Sequence, residues 1–195
     1  MFRRRFTSAA VVFGLALITA GAIPAQFEPT ARLGLSAAPD RYDGEIAPDI
    51  GAPFTLYVIL TGLAADEPLP FELASVGWTI HTACCGDSPV GVTSLVYADG
   101  VIATGDPYEQ VETATGGCPG GETVLLATAT FEWLLEGETE FLLSAGALTG
   151  ALDCTGDAHL LQTLTVTVEG QEATPSERDS WTAVKALFDG AGGTP

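Results

Sequence analysis

The stretch Leu160-Leu161-Gln162-Thr163-Leu164-Thr165-Val166-Thr167-Val168 changes polarity at almost every step. Leu160, Leu164, Val166 and Val168 fall on one face, and Thr163, Thr165 and Thr167 on the other. Successive side chains of an extended chain point to opposite sides, so this period of two marks a strand buried on one side. Upstream, Phe54-Thr55-Leu56-Tyr57-Val58-Ile59-Leu60 is apolar on both faces and reads as a central strand.

Further strand signals lie at residues 30–36, 71–82 (interrupted by Gly77), 92–98, 108–113, 123–131 and 140–145, bounded by Gly, Pro and Asp. About eight strands with no strand–helix alternation before residue 170 predict an all-β fold. The expected architecture is an antiparallel β-sandwich of jelly-roll or Ig-like type. Helix signals come only at the end. Thr174-Pro175-Ser176-Glu177 has the form of a capping box, and Trp181, Val184 and Phe188 follow at helical spacing up to Gly190. One short C-terminal helix is therefore expected at residues 171–190, with a loose tail at 191–195. Its aromatic stripe would pack on the sandwich or dock a partner.

The N-terminus begins Met1-Phe2-Arg3-Arg4-Arg5 and continues without charge to Phe27. A basic start, an apolar run and then small residues at Ala20-Gly21-Ala22 and Ala25 are the order of a secretory signal peptide. The expected plan is a signal peptide at 1–25 and a sandwich domain at 26–170, secreted, periplasmic or on the cell surface, with no membrane attachment after cleavage.

Three of the seven basic residues lie in that leader, while all 25 acidic ones lie beyond it. Four basic against 25 acidic residues leave the mature chain a formal net charge of −21. Such a surface repels nucleic acid, so nucleic-acid binding is excluded. A hydrophobic content of 47% argues against disorder.

The four cysteines are Cys84, Cys85, Cys118 and Cys154. An even count in an exported chain reads as two disulfides, and the spacing is not the CxxC kind that suits zinc. A direct Cys84–Cys85 bond would close a strained ring. Cys84 and Cys85 are therefore expected to bond one each to Cys118 and Cys154, in either arrangement. The loop Gly116-Gly117-Cys118-Pro119-Gly120-Gly121 reads as a disulfide-pinned hairpin loop, since no helix or Lys follows to make a phosphate cradle.

No catalytic constellation emerges. The histidines are His81 and His159. Near His81 the nucleophiles are Cys84, Cys85 and Ser88, but the cysteines are assigned to disulfides and no G-x-S-x-G elbow exists. His159 reads as a solvated loop residue. A hydrolase using His81 or paired carboxylates is the enzymatic alternative. No cofactor is expected. For calcium, the candidate ligands are Asp40, Asp43, Glu45 and Asp49, without EF-hand spacing, and secondarily Asp153 and Asp157. Trp78, Trp133 and Tyr108 would form a glycan platform if exposed, but the strand-like setting of the tryptophans favours burial.

The strand at 54–60 after a Gly/Pro loop, Phe71-Glu72-Leu73, and Val124-Leu125-Leu126-Ala127-Thr128-Ala129-Thr130-Phe131 followed by Phe141-Leu142-Leu143 resemble the strand order of cohesin-like secreted sandwiches. The Cys-Cys pair, the Gly-Gly-Cys-Pro loop and the terminal Trp-x-x-Val-Lys are similar to exported β-sandwich proteins of environmental bacteria. The resemblance covers roughly residues 30–188. It implies a non-catalytic module that binds a protein, or a glycan, through an exposed sheet face. Cohesins do not characteristically carry this cysteine set, so no binding residue is carried over.

Overall fold

The structure is a computed structural model that describes residues 28–64, 67–82, 88–134, 140–147 and 150–171. The segments read as signal peptide and tail lie outside the described residues (1–27 and 172–195), as do Cys84, Cys85 and the expected helix beyond its first residue; that residue, Gln171, instead forms a parallel β-bridge with Asp49. Among the described residues there are twelve strands rather than about eight. They are β1 (Ala31–Ser36), β2 (Glu45–Ile46), β3 (Phe54–Thr61), β4 (Leu73–His81), β5 (Val90–Tyr97) and β6 (Val101–Asp106), followed by β7 (Gln110–Thr115), β8 (Thr123–Trp133), β9 (Glu140–Ala147), β10 (Ala151–Asp153), β11 (Ala158–His159) and β12 (Leu161–Glu169).

The strands form one hydrogen-bonded path, β11-β10-β4-β9-β12-β1-β3-β8-β5, with β7 on the other edge of β4, β6 on β7, and β2 beside β12. Gly77 does not interrupt β4. It pairs with Glu112 across the β4–β7 ladder. The long strand read at 54–60 is central as expected, lying between β1 and β8. Pairing is antiparallel except where β12 meets β1 and β2. The purely antiparallel expectation is corrected there. A strand shows which of its faces is apolar, but the direction of its neighbour is set by the route of the chain between them.

The parallel β1–β12 pair depends on a glycine. A Cβ on Gly34 would stand 2.3 Å from Cβ of Leu164, its partner in register. Only a residue without a side chain lets the two backbones come so close.

One contiguous core joins the two halves of the path. Leu33 and Leu35 of β1, Leu56 and Leu60 of β3, and Leu126 and Phe131 of β8 belong to the same buried cluster as Val76, Trp78 and Ile80 of β4 and Leu143 of β9. Phe54 stacks on Phe131 with ring centroids 5.4 Å apart. In β12 the alternation is realised, with Leu164, Val166 and Val168 buried. Leu160 departs from the reading: it precedes the strand and is 45% exposed.

Candidate functional site

The outer face of β6, β7, β4 and β10 is ordered by register. Residues directly opposite in an antiparallel pair share a face. Ile102 lies across from Ala114, Ala114 from Ser75, Ser75 from Leu152, and Leu152 from Ala158. A second row runs Thr104, Glu112, Gly77. Ile102 is 70% exposed and Leu152 44% exposed, so this face carries apolar side chains that the fold leaves uncovered.

Between the rows the surface sinks into a cleft of about 430 Å3, lined by Ser75, Gly77, Glu112, Gly150, Leu152 and Ala158. Gly77 brings no side chain to it, and Gly150 lies against β11, where a Cβ would meet the His159 carbonyl oxygen at 2.4 Å. Glu112 stands on one wall and is exposed. Its side chain accepts a hydrogen bond from the Gln110 amide two residues earlier. The opposite wall is the β10–β11 ribbon, through Leu152 and Ala158.

Three devices hold that ribbon. Cys118 and Cys154 form a disulfide with Cα atoms 6.0 Å apart. Both lie beside the start of β4: the Leu73 amide donates to the Pro119 carbonyl (2.8 Å), and the Cys154 amide to the Glu72 carbonyl (3.0 Å). Inside the turn, Oδ1 of Asp153 accepts from the amides of Thr155 and Asp157, both at 2.9 Å, and from the Thr155 hydroxyl at 2.7 Å. Finally, Nε2 of His159 lies 3.0 Å from Oδ2 of Asp153, and the imidazole stacks on Phe71 with centroids 3.9 Å apart. Nδ1 of His159 lies 3.3 Å from the Thr30 hydroxyl. The hydrogen bond with His159, with that of Thr155, holds the Asp153 carboxyl well below the usual carboxylate range.

The cysteine expectation is corrected here. Cys118 and Cys154 are bonded to each other, so neither is available to Cys84 or Cys85. The reason is topological: β7 and β10 lie on opposite edges of β4, and the loops that follow them meet at its start. The glycine-rich loop is pinned by a disulfide as read, but it is not a hairpin. It crosses from β7, paired with β4 and β6, to β8, paired with β3 and β5.

His159 is not a solvated loop residue, for its side chain is only 19% exposed. His81 ends β4 and is exposed, directly across from Ser144. Among the described residues no carboxylate pairs with it. Trp78 is wholly buried, and Trp133 packs edge-on against Phe141 at 5.3 Å. Tyr108 alone of the three aromatics is well exposed, at 46%, and Trp133 is half-buried, so the three do not make one exposed aromatic face.

The calcium candidates do not converge. Asp40 contacts the neighbouring Arg41 at 3.4 Å, Asp43 accepts from the Glu45 amide, and the backbone of Asp49 pairs with that of Gln171. Among the described residues no three His, Cys, Asp or Glu side chains are gathered as metal ligands. The Asp153 carboxylate, in the second candidate pair with Asp157, is engaged by its own turn. Sequence reading missed the cleft itself. Its one signal was Gly77 inside a strand pattern, a place where something else comes close to the backbone.

No family model matches the chain, and no curated protein matches it. Among solved structures it is similar to the cohesin module of a Clostridium perfringens ATCC13124 family 33 glycoside hydrolase. The TM-score is 0.50 and the identity 15%, over 75% of this chain and 100% of that one. It is also similar to a non-cellulosomal cohesin from the hyperthermophilic archaeon Archaeoglobus fulgidus, with a TM-score of 0.49 and 11% identity over 77% of this chain and 97% of that one. The Clostridium perfringens likeness shows the fold: this chain has a cohesin-like β-sandwich.

Proposed function

We propose that the protein is an exported, non-catalytic binding module that engages a protein partner through the outer face of β6, β7, β4 and β10. The observation that carries this reading is the cleft at Gly77 flanked by uncovered apolar side chains, Ile102 and Leu152. Exposed apolar surface next to a polar rim is the usual mark of a docking site. The cohesin-like fold supports it as a scaffold with an open sheet face. The Cys118–Cys154 disulfide and the leader at 1–25 support an oxidising compartment outside the cytosol. With Trp78 buried and Trp133 half-buried against Phe141, a protein partner is favoured over a glycan.

A photo-reactive phenylalanine analogue placed at Ile102, or at Val96, tests the face. Val96 is 62% exposed and belongs to β5, which pairs with β8 rather than with β4, β6 or β7. Incubated with the secreted proteins of its own cells, the Ile102 variant is expected to give one saturable protein adduct and the Val96 variant none. Equal labelling at both positions, or none at either, overturns the assignment.

A further inference from the structure

The cleft has a composition that selects what can enter it. Its walls are short and apolar at Gly77, Gly150, Leu152 and Ala158, with one hydroxyl at Ser75 and one carboxylate at Glu112. Glu112 sits directly across from Gly77, and both line the cleft. Among the described residues the hydrogen-bond partner of Glu112 is the neutral Gln110 amide, which leaves other carboxylate lone pairs open toward them. The described residues contain two basic side chains, Arg32 and Arg41, and neither lines the cleft.

We propose that this cleft receives a lysine or arginine side chain of the partner protein, its aliphatic stem lying on Leu152 and Ala158 and its cation meeting Glu112. The inference rests on the docking face proposed above and names the chemistry of its anchor.

Three arguments select a basic side chain over others. Long cationic side chains bury their stems on apolar surface while keeping the charged head at a polar edge, and the cleft offers both. An apolar or aromatic side chain would fill the volume but strip water from Glu112 without replacing it, and an unpaired desolvated carboxylate is costly. An acidic side chain would add like-charge repulsion to that cost. The wider field acts the same way. A mature chain with four basic and 25 acidic residues draws cationic surfaces toward it before contact is made.

The probe is Nα-acetyl-arginine N-methylamide, titrated into the isotope-labelled secreted protein and followed by amide chemical shifts. The expected result is saturable shifts confined to Gly77, Glu112, Gly150 and Ala158. Glu112→Gln should weaken binding about two- to fivefold, the loss expected for an ion pair at a solvent-exposed carboxylate. Glu109→Gln, outside the cleft lining, should leave it unchanged. Nα-acetyl-glutamate N-methylamide should produce no shifts there. Shifts spread over the acidic surface, or shifts indifferent to Glu112→Gln, overturn the proposal. The two readings fail separately. An Ile102 adduct that survives Glu112→Gln keeps the docking face and sinks the basic anchor. Cleft shifts without any Ile102 adduct keep the anchor and sink the docking face.

Discussion

His159 and Asp153 face each other across the β10–β11 ribbon, Nε2 to Oδ2 at 3.0 Å, with Phe71 closing over the imidazole. The pair turns a short exposed ribbon into a fixed wall of the cleft. Asp153 serves two directions at once: Oδ2 meets the histidine, and Oδ1 ties the turn.

The first prediction concerns acid. The carboxyl of Asp153 titrates lower in the folded chain than in the unfolded one, chiefly through His159 and then Thr155. A depressed folded value gives stability that is present above the unfolded carboxylate value, about 3.9, and is lost as pH falls toward the folded value. Asp153→Asn should therefore lower the melting temperature at pH 7, and the gap from wild type should close below about pH 4. Melting curves of both proteins between pH 7 and pH 2 check this. A gap that stays constant with pH contradicts it.

The second concerns the disulfide. Cys118 and Cys154 are separated by 36 positions in sequence. Closing a loop of that size restricts the unfolded chain by roughly 3–4 kcal/mol in the chain-entropy account. The double variant Cys118→Ser/Cys154→Ser should lose about that much in urea unfolding, and the amides of β10 and β11 should exchange faster than those of β3 and β8. Equal protection in both regions would show that the ribbon does not need the bond.

The third concerns Gly34. A methyl group there would collide with both Cβ and the carbonyl oxygen of Leu164, at 2.3 and 2.4 Å. Backbone cannot yield as a flexible side chain can, so Gly34→Ala should cost about 1–3 kcal/mol or more. Gly100 lies in open space, and alanine there should cost less, the loss coming from its positive φ of 78°. Denaturant midpoints of the two variants give the comparison.

The long strands were legible because each carries its own pattern. Residues 54–60, 123–131 and 161–168 alternate or run apolar over enough positions to identify themselves. The missed strands carry too little. β2 and β11 have two residues each and β10 three, and β6, Val-Ile-Ala-Thr-Gly-Asp, has exposed or half-exposed side chains throughout. Such strands exist because a neighbour offers a ladder, and that is invisible along the chain. The Cys118–Cys154 pairing has the same origin, for it follows from β7 and β10 flanking β4. Glu112 was one acid among 25 until register set it across from Gly77.

The parallel pairing of β1 with β12 has a mechanical consequence. The Thr30 amide bonds the Leu160 carbonyl at one end of β12, and the Gln171 amide bonds the Pro48 carbonyl at the other. Eleven residues of extended chain place those two points roughly 35 Å apart. Tension applied at Thr30 and Gln171 would run along the strands. It would load the hydrogen bonds between β1 and β12 together, in shear, rather than peeling them one after another.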